Sequence, residues 1–406
     1  MPTTAPQQLA VRGGSPVRTQ PWPAWPVWDE DDARAVAEVV RSGKWFAGNG
    51  SRCDEFARLY ARLHGARHAV PCCNGTQALE IAMRAAGIRA GDEVVTSPYT
   101  FIATASSIVQ INAVPVFADV DPHTLNLDPG AAEAAITERT RAIVAVHVAG
   151  CPADLDALAE LARRKGLILI EDAAQAHLAE WRQRPVGAHG DAGTFSFQAS
   201  KNLSAGEGGV VVTDSDEIFE RAWSLANCGR VREGGWYEHR ALSGNYRMTE
   251  LQAALLLSQA RRLEEQTRRR NENALYLAAQ LAAIEGIRPL SRDPRITRHA
   301  YHLFIFRYDR RAFDNLPRDE FLAALRAEGI PCSPGYAPLY RSPAFRIDTS
   351  THPFAAGIDY GAQHLPEVEL ASEEAVWLGQ SLLLAEQGDM DDIVAAVRKI
   401  QEAARR

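Results

Sequence analysis

Residues 167–177 read Leu167-Ile168-Leu169-Ile170-Glu171-Asp172-Ala173-Ala174-Gln175-Ala176-His177. Four apolar residues in a row, closing on two acids and then on small residues, describe a strand buried on both faces that delivers charge at its carboxyl end. Such a strand belongs to a parallel sheet whose connecting helices cover both faces, and ligands bind such sheets beyond the carboxyl ends of the strands. The ordinary role for an acid at that point is to cap the next helix. The other is a carboxylate aimed into a site.

Outward from this stretch the pattern repeats. Short β-branched runs at residues 93–96, 115–119, 142–148, 194–197 and 209–213 alternate with helical stretches between about residues 69 and 213. That alternation predicts an α/β fold with a mostly parallel central sheet. Residues 29–64 carry a helical pattern, whereas residues 1–28, which include PWPAWPVW, cannot form a regular helix and read as an arm. After an irregular stretch at 229–246, a helical pattern from about Thr249 to Ala282 has the length of a connector to a second unit. The rest has an extended segment at 302–307, a helix at 318–328, a Pro-rich loop at 331–343 and a terminal helix. The expected organisation is therefore an arm (1–28), a large α/β domain (29–282) and a small C-terminal α+β domain (283–406).

Composition narrows the function. The chain has 406 residues, 44 Lys+Arg against 51 Asp+Glu, and a formal charge of −7. A mildly acidic balance argues against nucleic acid as a partner; the one Arg-rich stretch, around Arg268, Arg269 and Arg270, alternates with Glu264 and Glu265 as a solvated helix face does. No apolar run reaches the ~20 residues of a membrane span, and the first residues lack a signal peptide's apolar core, so a cytoplasmic enzyme is expected. The six cysteines form no Cys-x-x-Cys pair, so neither disulfides nor a metal site is indicated. Adjacent Cys72 and Cys73 read either as reactive thiols or as small apolar residues at a strand end.

Lysine is scarce: only Lys44, Lys165, Lys201 and Lys399 occur. Lys201 follows the strand pattern at 194–197 in a run with no other charge before Glu207. Most isolated lysines are solvated, but one desolvated at a sheet's edge has a lowered pKa and becomes a nucleophile and proton carrier. Upstream, Asn74-Gly75-Thr76-Gln77 precedes an apolar helical run, with Thr76 suited to the N-cap; free N–H groups at a helix start bind phosphate. A phosphate cup, an aspartate (Asp172) and a lysine (Lys201) are together what pyridoxal phosphate requires.

These residues resemble the DegT/DnrJ/EryC1/StrS sugar aminotransferases, of the aspartate-aminotransferase fold (type I of the pyridoxal-phosphate enzymes), over about residues 13–390. The markers are NGTQAL, GDEVVTSPYTFIATA, PVFADVDPHTLNLDP, EDAAQAH, GTFSFQASKNLSAGEGG and NYRMTELQAALL, in that order. FSFQ-x-x-K, HVAG and PGYAPLYRSPAF resemble the branch acting on keto-cyclitols such as scyllo-inosose. The resemblance implies a ping-pong transamination, with Lys201 forming the Schiff base, Asp172 pairing with the pyridinium, Gln175 contacting the cofactor hydroxyl and Phe101 stacking on the ring. Gly75, Thr76 and Ser196 would take the phosphate together with Asn245, which in this family reaches in from a partner subunit and so implies a homodimer with shared sites. Two positions depart from the nucleotide-sugar pattern: Ala149 stands at a usual aromatic, and Pro334-Gly335-Tyr336 lacks the usual histidine before the tyrosine. The acceptor would then be a keto-cyclitol or keto-sugar and the donor glutamine or glutamate, with roles for His177, His239 and Tyr336 open. Two other outcomes are compatible with the same cofactor: a dehydratase or aromatising aminohydroxybenzoate-type synthase, of which the dehydratases replace the lysine with histidine, and a non-catalytic regulator, for which no added interaction domain is visible.

Overall fold

The apolar runs pair into one sheet. In the computed structural model, which describes residues 8–235 and 237–405, the strands are β1 (His68–Cys72), β2 (Glu93–Thr96), β3 (Val114–Phe117), β4 (Thr140–Val146), β5 (Ile168–Asp172), β6 (Ala192–Ser196) and β7 (Gly209–Thr213). Their order is β1-β7-β6-β5-β4-β2-β3, parallel throughout except at β7, which runs antiparallel to both neighbours. Alternate residues face opposite sides. Val94, Val144 and Ile170 lie beneath α3 (Gly75–Ala85) and α7 (Asp216–Ala226); their neighbours Val95, Ile143 and Leu169 pack on Leu158 and Leu161 of α6 (Leu155–Lys165). Each such side chain taken fully from water contributes roughly 1.5–3 kcal/mol, which holds the strand ends in register.

The helical pattern at 29–64 is two helices, α1 (Glu30–Ser42) and α2 (Arg52–Leu63). Gly43 ends the first in the left-handed region (φ 67°). The second starts on a carboxylate from far away: Glu250 accepts the N–H groups of Arg52 (2.7 Å) and Cys53 (3.0 Å), and any side chain at Gly50 would collide with it. Glu250 opens α8 (Glu250–Leu281), whose N-cap Thr249 forms a capping box with Gln252. Leu256 and Leu263 of α8 pack with Phe195 and Phe197, while Leu277 and Leu281 enter a second core with Phe306, Phe321 and Ile393.

That second core underlies an antiparallel four-stranded sheet of β8 (Ile287–Pro289), β9 (Leu303–Tyr308), β10 (Ser333–Pro334) and β11 (Ala375–Gly379), in the order β8-β9-β11-β10. Helices α9 (Arg318–Ala327) and α11 (Asp389–Ala404) cover it. Residues 1–7 of the expected arm lie outside the described residues. The described remainder is tied down by Arg18, which pairs with Asp389 (2.8 Å) and Asp392 (2.7 Å), and by Trp25, whose indole N–H donates to the Ala199 carbonyl (2.9 Å). No helix among the described residues is long and apolar enough to cross a membrane.

Candidate active site

Strands β4, β5 and β6 bring Val146, Asp172 and Thr194 side by side, so the sheet's carboxyl edge is aligned where the chain leaves β5 and β6. A cavity of about 730 Å³ opens there. Of the eight expected site residues, Gly75, Thr76, Phe101, Asp172, Gln175, Ser196 and Lys201 line it. Asn245 does not: it is exposed, near the end of the irregular stretch, which lies against the end of β1, where the Tyr246 carbonyl accepts the Cys73 N–H (2.7 Å).

The phosphate-cup expectation needs one correction. The N-cap of α3 is Asn74, whose side-chain oxygen accepts the Gln77 N–H at 2.9 Å; Thr76 is the second helical residue. Asn74 reaches the third helical N–H, so those of Gly75 and Thr76 have no partner within the helix and face outward at its positive end. Gly75 is required by contact: a Cβ there would lie 2.7 Å from the Ser196 Cβ. The turn thus offers two N–H groups and a nearby serine hydroxyl to an anion.

Asp172 is 5% exposed and no helix follows it, so capping is not its role. Its carboxylate accepts the Thr104 hydroxyl (2.7 Å) and the Ala174 N–H (3.2 Å), and Thr104 is itself bonded to Thr100 (2.8 Å). Its neighbour Glu171 serves the opposite side of the strand. It accepts the N–H groups of Gly187, His189 and Gly190 and meets His147 Nε2 at 3.1 Å; burial would raise its pKa, but these partners hold it at about 2.

Lys201 lies in the loop after β6, and burial pushes its amine down to about 8 against the opposing pull of Asp172. A solution near that pH holds a substantial neutral fraction, the nucleophilic form. Gln175 is fixed at both ends: its carbonyl accepts the Ala149 N–H (2.7 Å) and its NH₂ donates to the Tyr336 hydroxyl (3.1 Å). Phe101 stands 57% exposed at the cavity wall.

Of the three residues left open, Tyr336 lines the cavity. His177 does not; its nitrogens are taken by the Tyr60 hydroxyl (2.7 Å) and the Ser196 carbonyl (2.9 Å), which makes it a support behind β6. His239 is exposed and bonded to the Tyr237 carbonyl (3.0 Å), outside the cavity. The sequence reading missed Thr104, His302 and Trp377. Thr104 had a faint signal, as a polar residue three positions after Phe101; the others come from the residue before β9 and from β11, remote in sequence. Cys72 is fully buried and burial raises both the Cys72 and Cys73 thiols, so they sit as small apolar groups at the strand end.

The family model for the DegT/DnrJ/EryC1/StrS aminotransferase family matches residues 26–398. A protein of Streptoalloteichus tenebrarius provisionally named an L-glutamine:3-amino-2,3-dideoxy-scyllo-inosose aminotransferase is 45% identical, over 97% of this chain and 98% of its own length. The L-glutamine:2-deoxy-scyllo-inosose aminotransferase of the same organism is 42% identical, over 97% and 98%. Among solved structures, 3-amino-5-hydroxybenzoic acid synthase is similar with a TM-score of 0.86 at 34% identity, over 96% of this chain and all of that one. S. venezuelae DesV in complex with a ketimine intermediate is similar at TM-score 0.82 and 35% identity, over 95% of this chain and 99% of that one. A mostly parallel sheet with this cavity at its carboxyl edge, and likeness along nearly the whole length, lead to one conclusion: the chain belongs to the DegT/DnrJ/EryC1/StrS aminotransferase family.

Proposed function

We propose that this aminotransferase uses pyridoxal 5'-phosphate to move an amino group from L-glutamine to a keto-cyclitol of the scyllo-inosose type. The observation that carries the reading is the meeting of the Lys201 amine, the buried Asp172 carboxylate and the open first turn of α3 in one cavity. The residues fit the cofactor: the space a Cβ at Gly75 would fill is left clear beside Ser196, and an oriented carboxylate and an amine of lowered basicity stand in the same cavity.

When bound, the cofactor supplies an electron sink for the carbanion on the donor α-carbon. The chain's residues do the rest. Gly75, Thr76 and Ser196 would hold the phosphate, Phe101 and Gln175 would contact the ring and its hydroxyl, and Asp172, steadied by Thr104, would keep a proton on the ring nitrogen. The Lys201 amine would anchor the cofactor, accept the α-proton of the donor and return a proton when the acceptor ketone is aminated. The exposed Asn245 would complete the phosphate site of a partner subunit, which makes the working form a homodimer. We further place residues 29–282 as the cofactor-binding domain, 283–406 as a small domain and 1–28 as an arm, in a cytoplasmic enzyme. Glutamine and the keto-cyclitol are supported by the names of the relatives, and Ala149 and Pro334-Gly335-Tyr336, which lack the nucleotide-sugar pattern, speak against a nucleotide-linked acceptor.

One other reading has a specific observation in its favour, the likeness to 3-amino-5-hydroxybenzoic acid synthase. Incubation with L-glutamine and 2-deoxy-scyllo-inosose separates the two. An aminated cyclitol, lost in Lys201→Ala, supports the aminotransferase reading; no aminated product, with an aromatic product from a dehydrating ring substrate instead, would replace it.

A further inference from the structure

His302, the residue before β9, lines the same cavity and is 7% exposed. Its hydrogen can be placed. Asn202, adjacent to Lys201, donates its Nδ2–H to the Ala300 carbonyl at 2.7 Å. A carbonyl cannot accept from an amide oxygen, so the Asn202 amide has one orientation, and its Oδ1 is the atom 3.2 Å from His302 Nδ1. Nδ1 therefore carries the hydrogen. The ring is also neutral: burial, then Lys201, His177 and Arg270, hold its pKa well below the ordinary histidine value, with no acid acting against them. Arg270, on α8, is fully buried and gives its Nε–H and Nη2–H to Gln380 Oε1 (2.9 and 2.6 Å), with no carboxylate partner among the described residues. A neutral ring with its hydrogen on Nδ1 leaves Nε2 as a lone pair, and Nε2 has no hydrogen-bond partner among the described residues.

We propose that His302 determines specificity for the amino acceptor: its Nε2 takes a hydrogen bond from a hydroxyl of the ring that receives the amino group. A lone-pair acceptor cannot bind a carboxylate, which excludes the carboxylate of the amino-acid donor as its partner. His302 also belongs to the wall contributed by Leu303, Tyr336 and Trp377, whereas the anion-binding turn comes from α3. The Tyr336 hydroxyl accepts from Gln175 and so keeps its own hydrogen to donate. Donor and acceptor on one wall suit a polyhydroxylated ring, whose hydroxyls need both. The inference rests on the aminotransferase reading of this cavity.

The test uses the holoenzyme, His302→Leu, and His302→Gln, which restores an acceptor oxygen. With 2-deoxy-scyllo-inosose as the ketone, loss of one neutral hydrogen bond should raise KM about tenfold in His302→Leu with kcat little changed, and His302→Gln should recover most of it. The half-reaction with L-glutamine alone, followed by loss of the visible cofactor band, should be unchanged in both. An unchanged KM, or an equal loss in the donor half-reaction, would overturn the proposal. Nitrogen-15 NMR of the histidine-labelled wild-type holoenzyme needs no variant: the expected His302 signal is a neutral ring with hydrogen on Nδ1, and a protonated ring or hydrogen on Nε2 near neutral pH would overturn it. A wild type that reacts with L-glutamine but leaves this ketone untouched refutes the substrate reading above, and a protonated ring or hydrogen on Nε2 would overturn the His302 proposal independently of that reading.

Discussion

Gly75→Ala separates cofactor binding from fold stability, because the added methyl should weaken the first and leave the second nearly unchanged. In a helix interior alanine is favoured over glycine by roughly 0.5–1 kcal/mol, and at the first position of α3 it gains part of that. The same methyl would lie 2.7 Å from Ser196 Cβ, 3.2 Å from its Oγ and 3.3 Å from its Cα. Ser196 ends β6, which is laddered to β5 and β7, so the strand cannot give way and the first turn of α3 must move instead. An added methyl in such a contact costs about 1–3 kcal/mol, and the movement draws the Gly75 and Thr76 N–H groups away from the serine hydroxyl. At 1.4 kcal/mol per tenfold, cofactor affinity should fall roughly 5- to 150-fold, while the urea midpoint of the cofactor-free protein changes little because the helix gain offsets part of the clash. Titration of pyridoxal 5'-phosphate onto both apo proteins, read by visible absorbance beside urea unfolding, measures both. Wild-type cofactor affinity in Gly75→Ala would refute the claim that this turn is the phosphate cup.

Other consequences are open to direct measurement. Lys201→Ala should lose turnover and the visible band of the lysine–cofactor adduct together while keeping the native melting behaviour, and a variant retaining either signal would remove the lysine from the site. Asp172→Asn should bind cofactor yet transaminate at least about a hundredfold more slowly, since a neutral amide cannot hold the ring proton; an undiminished rate would sink that role. Three buried histidines sit far below their unfolded value near 6.5: His64 at about 4, His177 at about 3 and His299 at about 3, each lowered chiefly by burial. Below pH 6.5 the unfolded chain binds protons that the folded one refuses, so stability should fall as pH drops toward 4, by up to about 1.4 kcal/mol per unit for each histidine. A urea midpoint that does not move between pH 7 and pH 5 would contradict this.

Much of the site could be read because its parts lie where strand patterns end. Asp172 closes an apolar run, Ser196 and Lys201 follow another, and Gly75 opens a helix, so sheet geometry alone gathers them. The length of α8 was equally plain, from a helical pattern running from about Thr249 to Ala282. What could not be read depended on partners distant in the chain. The break between α1 and α2 is set by the Glu250 carboxylate, which reaches Arg52 from 198 residues further along the chain. The cap of α3 moved from Thr76 to Asn74 because an extended asparagine reaches the third N–H, a matter of backbone angle that composition does not carry. The reversed strand β7 is a buried apolar run like the parallel strands elsewhere in the sheet, so its direction is invisible in the pattern. His302 and Trp377 enter the cavity from the second sheet, and only the packing of that sheet against the first brings them there.

The most direct test is the absorption spectrum of the purified holoenzyme before L-glutamine, after it, and after 2-deoxy-scyllo-inosose is then added. The account predicts that glutamine alone abolishes the visible band in wild type, that the ketone restores it with an equivalent of aminated cyclitol formed, and that Lys201→Ala does neither. A visible band that glutamine leaves unmoved, or a Lys201→Ala protein that completes the same cycle, would contradict it.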